Sequence, residues 1–109
     1  MYDLVIIGGG PAGAGAGVYA ARKKMKSLLV TDGWGGQSLV SADIQNWIGV
    51  KSVSGLGLAK MFEEHVKAYQ PDVGFWDPDR IVKVEKRDDG FLVTSQKGQT
   101  AQTKTILLC

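Results

Sequence analysis

Short runs of consecutive apolar residues alternate along the chain with longer segments of mixed polarity. Four of these runs, at 2–7, 27–31, 72–76 and 104–109, have the length of single strands. Strands that are apolar on both faces are typical of parallel sheets, which are buried on both sides. Pro11 opens a segment rich in alanine and glycine between the first two runs, and proline favours the first turn of a helix. The pattern predicts an α/β fold built on a Rossmann-like strand–helix–strand unit.

The apolar residues between positions 56 and 69 instead recur at helical spacing, which predicts an amphipathic helix with one buried stripe. His65 falls on that stripe, and we expect it to be a packed histidine rather than a catalytic base. Residues 32–55 show neither helical spacing nor a strand-like apolar run, and they contain five glycines. Such a long irregular segment within a compact domain is usually functional.

Towards the C-terminus, two residue pairs that are typical of tight hairpin turns interrupt the apolar stretches. These pairs are Asp89-Gly90 and Lys97-Gly98. They predict a small antiparallel β-meander at about 79–103, followed by the last strand of the parallel sheet.

Composition excludes several classes of function. The formal net charge is only +2 over 109 residues, so we expect no nucleic-acid partner. Cys109 is the only cysteine and His65 the only histidine, which leaves no internal disulfide and no Cys- or His-based metal site. No apolar stretch approaches the roughly 20 residues that span a bilayer. Because the N-terminus also lacks the features of a secretory signal, we expect a cytoplasmic protein with no membrane partner.

Glycine is the exception to this ordinary composition, since the chain has 15 glycines and nine of them cluster at 8–17 and 33–36. The first cluster contains the pattern G-x-G-x-x-G between the first predicted strand and the first predicted helix, where it predicts a dinucleotide-binding loop. The first glycine permits a tight turn, the second lets the backbone approach a pyrophosphate, and the third allows helix and strand to pack closely. Backbone N–H groups at the helix start then face the anion. The residues predicted to bind are Gly8, Gly10, Pro11, Ala12 and Gly13.

Asp32, which directly follows the second predicted strand, has two interpretations. It stands about 20 residues beyond the loop, where an acidic residue binds the ribose hydroxyls of a dinucleotide. Alternatively, it is a turn residue before Gly33. No arginine stands near Asp32, and we therefore expect that this loop does not hold the 2′-phosphate of NADPH.

Three further motifs follow the glycine loop in order and make a family resemblance specific. They are Tyr19-Ala20-Ala21-Arg22, Gly35-Gly36-Gln37 and Asp43-Ile44-Gln45-Asn46-Trp47. Over essentially the whole chain, they resemble the N-terminal FAD-binding segment of bacterial thioredoxin reductases and of the flavin subunit of alkyl hydroperoxide reductase. The resemblance implies FAD as the cofactor. It also implies that residues 1–109 form the first part of a split FAD-binding domain.

The resemblance further implies which residues meet FAD. The glycine loop would hold the ADP pyrophosphate, and Asp32 would stand at the ribose. Gly36 and Gln37 would line the ribityl–flavin end, and Asn46 would lie near the isoalloxazine ring. The backbone at Val84 would meet the adenine.

Other family features have no counterpart in the sequence. The family passes electrons from NADPH through FAD to a Cys-x-x-Cys pair, but the sequence contains no second glycine loop and no cysteine pair. Cys109 stands where the relatives have alanine, so we expect a strand residue rather than a redox thiol. We also expect that the chain alone is not catalytically competent and retains FAD weakly or not at all. Self-association through an exposed sheet edge or helix-facing surface is a further expectation.

Three functions are compatible with these residues. The first is the FAD-binding segment of a thioredoxin reductase-like flavoprotein, and the second is a standalone adenine-nucleotide-binding module. The third is part of another flavin- or NAD-dependent dehydrogenase that shares only the glycine loop. The elements Gly36-Gln37 and Asn46-Trp47 favour the first over the third.

Overall fold

The computed structural model describes residues 1–109 as six strands and two α-helices. The strands are β1 (Tyr2–Gly9), β2 (Ser27–Trp34), β3 (Val73–Trp76), β4 (Ile81–Arg87), β5 (Gly90–Ser95) and β6 (Thr100–Leu108). The helices are α1 (Pro11–Arg22) and α2 (Gly55–Lys67). Neither helix is long and apolar enough to cross a membrane.

All six strands form one sheet in the order β3-β2-β1-β6-β5-β4. Strand β1 pairs in parallel with both β2 and β6, and β2 pairs in parallel with β3. Strands β4, β5 and β6 form the antiparallel meander. The predicted α/β class, with a parallel sheet and an antiparallel meander, is therefore confirmed.

Strand β6 joins the two parts of the sheet. Its first half, at 100–103, pairs with β5, and residues 103–108 pair with β1. The sequence pattern predicted a meander strand and a separate final strand, but the structure forms a single continuous one. The residues between the halves, Thr103-Lys104-Thr105, contain no glycine or proline that would interrupt a strand.

Successive residues of the central strands point to opposite faces of the sheet, and each face has its own core. Ile6 and Leu29 pack on the face that the helices cover, together with Val66 of α2. Val5 and Leu28 face the other side. There they pack in one cluster with Val30 and with the meander residues Val93 and Ala101. The continuous apolar runs of β1 and β2 thus reflect burial on both faces.

Helix α2 buries a narrower face than its apolar spacing suggested. Leu58, Ala59 and Val66 are buried, and Ala59 and Val66 pack with core residues of the sheet. His65 is exposed, and its ring stacks on Tyr69 with the ring centroids 6.2 Å apart. The expectation that His65 is packed in the core is therefore wrong, because the buried face passes through Val66 rather than through its neighbour.

The segment at 32–55 has a defined structure. Strand β2 continues to Trp34, and a 3-10 helix follows at Gly36–Val40. An antiparallel bridge then joins Ile44 to Val53, with backbone N–O distances of 2.7 and 3.0 Å. Ser54 caps α2 by accepting a hydrogen bond at 2.9 Å from the backbone N–H three residues on. These contacts order the segment internally, and the N–H of Gly35 bonds it to the carbonyl oxygen of Gly9 at the end of β1.

Candidate functional site

A cavity of about 420 Å³ lies at the carboxyl ends of β1 and β2, next to the start of α1. In open α/β sheets, ligands bind at this edge. The residues that line the cavity are Gly8, Gly9, Gly10, Pro11, Ala12, Gly13, Thr31, Asp32, Gly33, Gly36, Gln37 and Cys109. The structure therefore brings together all the predicted site residues except Asn46 and Val84.

Two of the three glycines of the G-x-G-x-x-G pattern are required by the packing of the protein itself. Gly8 has a φ of +121°, and a Cβ atom there would lie 2.5 Å from the carbonyl oxygen of Cys109. A Cβ atom at Gly13 would lie 1.9 Å from the carbonyl oxygen of Gly8. Only glycine fits at either position without movement of the backbone.

Gly10 is different from its neighbours in the loop. A Cβ atom at Gly10 would make only ordinary contacts, the nearest at 3.6 Å from the Cα of Gly36. Its backbone is extended, with φ −77° and ψ −169°, a conformation open to other residues. Nothing within the protein therefore explains a glycine here, whereas close approach of a ligand to the backbone does.

The N-terminus of α1 opens into the cavity. Gly10 is the N-cap residue and provides no side chain to bond the first N–H groups of the helix. Its carbonyl oxygen accepts from the N–H of Ala14 at 3.0 Å, but its own N–H has no hydrogen-bond partner in the protein. The first turn also contains no acidic residue. Free N–H groups and the positive end of the helix dipole make this turn suited to an anion.

The second glycine cluster packs against the first. The N–H of Gly35 donates to the carbonyl oxygen of Gly9 at 3.0 Å. Gly35 has a φ of +95°, and a Cβ there would lie 2.6 Å from the Cβ of Ala59. Gly36 also has a positive φ, at +52°, and a Cβ there would lie 3.3 Å from the Cα of Gly10. This close contact of two backbones places Gln37 at the cavity wall.

Asp32 lines this cavity, and a second cavity of about 160 Å³ adjoins the first at Asp32; the two cavities together form the groove. The two cavities share Gly8, Thr31, Asp32 and Cys109. The carboxylate of Asp32 is exposed, and its Oδ2 lies 4.0 Å from the Nε of Arg80. The sequence places no arginine near Asp32, but the folded chain brings Arg80 next to it, so the expectation is wrong. Arg80 comes from the connection between β3 and β4, far from Asp32 in the sequence.

A buried carboxylate holds that connection in place. Asp79 accepts hydrogen bonds from the backbone N–H groups of Arg80 at 2.8 Å and Lys97 at 3.2 Å, and from the Nε2 of Gln99 at 2.9 Å. Burial raises the pKa of Asp79, but these hydrogen bonds, together with one from Ser95, outweigh burial and lower the pKa to about 2.

Asn46 and Val84 lie outside the cavity. Val84 is an exposed residue of β4, the strand at one edge of the sheet. Asn46 is exposed in the segment after the 3-10 helix. The next residue, Trp47, packs edge-on against Phe62 at a centroid distance of 5.2 Å. The roles of Asn46 and Val84 towards a flavin stay predictions.

Nine residues that line the two cavities were not predicted as site residues from the sequence, namely Ile7, Gly9, Val30, Thr31, Gly33, Asp79, Arg80, Ile81 and Cys109. Thr31 and Gly33 flank Asp32, and the rule that ligands bind beyond strand ends could have indicated them. Cys109 follows β6 directly, and its N–H bonds to the carbonyl oxygen of Ile7 at 2.9 Å. Partial burial raises the pKa of its thiol, which disfavours the reactive thiolate. No sequence feature near Arg80 indicates that this residue lies beside Asp32.

A glycine turn between β1 and α1, at the carboxyl edge of a parallel sheet, defines a Rossmann-like α/β domain. Comparison with known proteins identifies the family to which this domain belongs. The chain belongs to the pyridine nucleotide-disulphide oxidoreductase family, whose model matches residues 2–109. The resemblance stated from the motifs is confirmed.

Individual relatives support this assignment. The chain is 40% identical to an NADH dehydrogenase of Bacillus subtilis over 107 residues, which cover 98% of the chain and 20% of the relative. It is 34% identical to an alkyl hydroperoxide reductase subunit of Pseudomonas aeruginosa, with 98% and 21% covered. The thioredoxin reductase of Lactococcus lactis superposes with a TM-score of 0.90 at 32% identity, over 99% of the chain and 35% of that structure. The chain thus spans about a fifth of the length of the curated relatives.

Proposed function

We propose that the chain binds FAD through its ADP moiety, as the first FAD-binding segment of a thioredoxin reductase-like flavoprotein oxidoreductase. The observation that carries this proposal is the turn at Gly10. Its N–H is free, its position needs no glycine for packing, and it opens into the groove at the start of α1. These three properties together fit a backbone that approaches a pyrophosphate.

The remaining residues of the groove fit the rest of the ADP moiety and its continuation. The N–H groups at the start of α1 would hold the pyrophosphate, and Asp32 would accept hydrogen bonds from the ribose hydroxyls. Gly36 and Gln37 line the same cavity, with Gly36 packed beside Gly10, and would contact the part of FAD that leads from the pyrophosphate towards the flavin. Bound FAD would supply the electron-accepting chemistry, and this chain would contribute binding and orientation.

A standalone adenine-nucleotide-binding module is the second candidate. The observation in its favour is that the ADP side of the groove is formed by the chain itself, whereas Asn46 lies outside the groove. In that case the chain would bind ADP as tightly as FAD, since the flavin half would add no contact. A comparison of the two ligands separates the candidates.

Isothermal titration of the chain with FAD, ADP and NAD in parallel tests the proposal. We expect weak binding with a preference for FAD. Equal affinity for ADP and FAD would favour the standalone module, and a preference for NAD would favour a different dehydrogenase. A purified chain that carries one flavin per molecule would contradict the expectation of weak retention.

The variant Gly10→Ala sharpens this test. Because a Cβ at Gly10 meets no protein atom closer than 3.6 Å, the fold should tolerate it. The added methyl group would nevertheless stand where the pyrophosphate approaches, so we expect binding to weaken about tenfold or more. Gly15→Ala, within α1 and with no atom within 4 Å of its Cβ, is the matched control and should leave binding unchanged. Unchanged binding by Gly10→Ala would contradict the proposed position of the pyrophosphate.

A further inference from the structure

Arg80 is the only basic side chain among the residues that line the two adjoining cavities. The acidic side chains there are Asp32 and Asp79. Asp79 is buried and its carboxylate is occupied by hydrogen bonds from the protein. Asp32 makes no hydrogen bond and has Arg80 as its one ion-pair partner. This part of the groove therefore presents one carboxylate and one guanidinium group side by side, and neither has another charged partner.

The backbone of Arg80 is fixed while its side chain stays exposed. Its N–H donates to Asp79 at 2.8 Å, and its carbonyl oxygen accepts from the N–H of Gln96 at 2.8 Å. The N–H of Asp79 in turn donates to the carbonyl oxygen of Thr31 at 3.0 Å, which ties the connection to the end of β2. The side chain of Arg80 is 62% exposed, so its guanidinium group can turn from Asp32 towards a ligand without disturbing these bonds.

We infer that Arg80 is a specificity-determining residue that lets the groove accept an adenine nucleotide with a phosphate on its ribose 2′-oxygen. This inference rests on the proposed binding of an adenine nucleotide in the groove. A ribose with free hydroxyls would donate hydrogen bonds to Asp32. A 2′-phosphate would pair with the guanidinium group of Arg80, whose planar donors match phosphate oxygens.

The presence of both charges predicts tolerance rather than selection. Asp32 alone would repel a 2′-phosphate, and Arg80 offsets that repulsion at close range. Removal of the Arg80 side chain should therefore shift the preference of the groove towards ADP, and removal of the Asp32 carboxylate should shift it towards the 2′-phosphorylated nucleotide. This opposite response distinguishes a role in ligand recognition from a general effect on the stability of the fold.

Isothermal titration with ADP and with ADP that carries a 2′-phosphate tests the inference in the intact chain. For the wild type, we expect Kd values that differ by less than about fivefold. Arg80→Gln should weaken binding of the 2′-phosphorylated nucleotide about tenfold, the loss of one charged hydrogen bond, and leave ADP binding nearly unchanged. Arg80→Lys retains the charge without the planar fork and should lie between the two. Asp32→Asn should weaken ADP binding and favour the 2′-phosphorylated nucleotide.

The outcomes separate this inference from the proposed function. If ADP binds and Arg80→Gln leaves the ratio of the two Kd values unchanged, the inference is wrong and the proposed function stands. If neither nucleotide binds the wild-type chain, both are wrong. Circular dichroism of each variant verifies that the fold is kept.

Discussion

The Cα of Gly13 lies so close to Gly8 that a methyl group on Gly13 would come within 1.9 Å of the carbonyl oxygen of Gly8. This contact seats α1 directly on the turn that follows β1. The same contact fixes where the free N–H groups of the helix point, so the packing of the fold and the shape of the groove depend on a single position.

Replacement of Gly13 by alanine should therefore harm both stability and binding. We expect the free energy of unfolding to fall by about 1–3 kcal/mol, the usual cost of overpacking, because the clash is with backbone rather than with a flexible side chain. Gly15→Ala lies in the same helix without a close neighbour and should raise stability by about 0.5–1 kcal/mol. Urea unfolding of both variants measures the difference, and equal stabilities would contradict the contact.

The local chemistry of the chain made this turn predictable. The apolar run before it, Pro11 after it and the glycine spacing are all signals within a few residues. The contact between Gly10 and Gly36 was harder to predict, although the family resemblance indicated that both meet the same ligand. Local pattern thus predicted the strands, the helices and most of one cavity wall.

The rest of the site depends on contacts between distant parts of the chain. Arg80 reaches Asp32 only because the buried Asp79 binds the hairpin before β6, and no feature near either residue indicates that bond. His65 shows the same limit for a helix, since apolar spacing defines a stripe but not which of its edges is buried. Contacts between segments that are distant in the sequence determine both the position of Arg80 and the exposure of His65.

A second network stabilises the end of α2 against the sheet. The indole Nε1 of Trp34 donates to the Oδ2 of Asp77 at 2.8 Å, and the Nζ of Lys67 lies 3.2 Å from the same oxygen. Lys67 also stands 5.5 Å from the centre of the Trp34 ring. The carboxylate of Asp77 is only 18% exposed, so it depends on these two donors.

Trp34→Phe removes one of the two donors and should destabilise the protein, because the largely buried carboxylate of Asp77 then keeps only Lys67 as a partner. The matched control is Trp76→Phe, because Trp76 is half-buried and its indole makes no hydrogen bond in the structure. We expect Trp34→Phe to cost about 1.5–3 kcal/mol more than the control, the range for a hydrogen bond to a charged group. Thermal and urea unfolding of the pair give the comparison. Equal costs would show that the bond to Asp77 contributes nothing.

The lowered pKa of Asp79 predicts a loss of stability in acid. Its pKa is about 2 in the folded protein against an ordinary value of 3.8, so the folded state binds this proton less readily than the unfolded state. The stabilising contribution is complete above about pH 4 and is lost as the pH falls towards 2. Urea midpoints measured from neutral pH down to about pH 2 should therefore drop over that interval.

Asp79→Asn isolates this contribution from those of other carboxyls. An amide nitrogen cannot accept the hydrogen bonds that one carboxylate oxygen accepts, so the variant should be less stable at neutral pH. Its midpoint should also fall less than that of the wild type between about pH 4 and pH 2. Asp88→Asn, at an exposed carboxyl in the turn between β4 and β5, should behave as the wild type does. Parallel pH curves for all three proteins would contradict the assignment.

The edges of the sheet are poor routes to self-association. Strand β3 has only four residues, which limits the edge that it offers. Strand β4 is longer, but its side chains include the charged residues Lys83, Glu85, Lys86 and Arg87. Short edges and charged edges both discourage pairing between chains. By contrast, Ile48 is 96% exposed and Val40 is 83% exposed in the segment that leads to α2.

We therefore predict that self-association of the isolated chain depends on this apolar segment rather than on a sheet edge. Ile48→Lys places a charge at the most exposed apolar side chain and should shift sedimentation velocity profiles towards the monomer at high protein concentration. Val82→Lys adds the same charge to β4, where a half-exposed valine lies on the sheet edge, and should have little effect. If Val82→Lys instead shifts the profile towards the monomer and Ile48→Lys does not, the chains associate through pairing of strand β4.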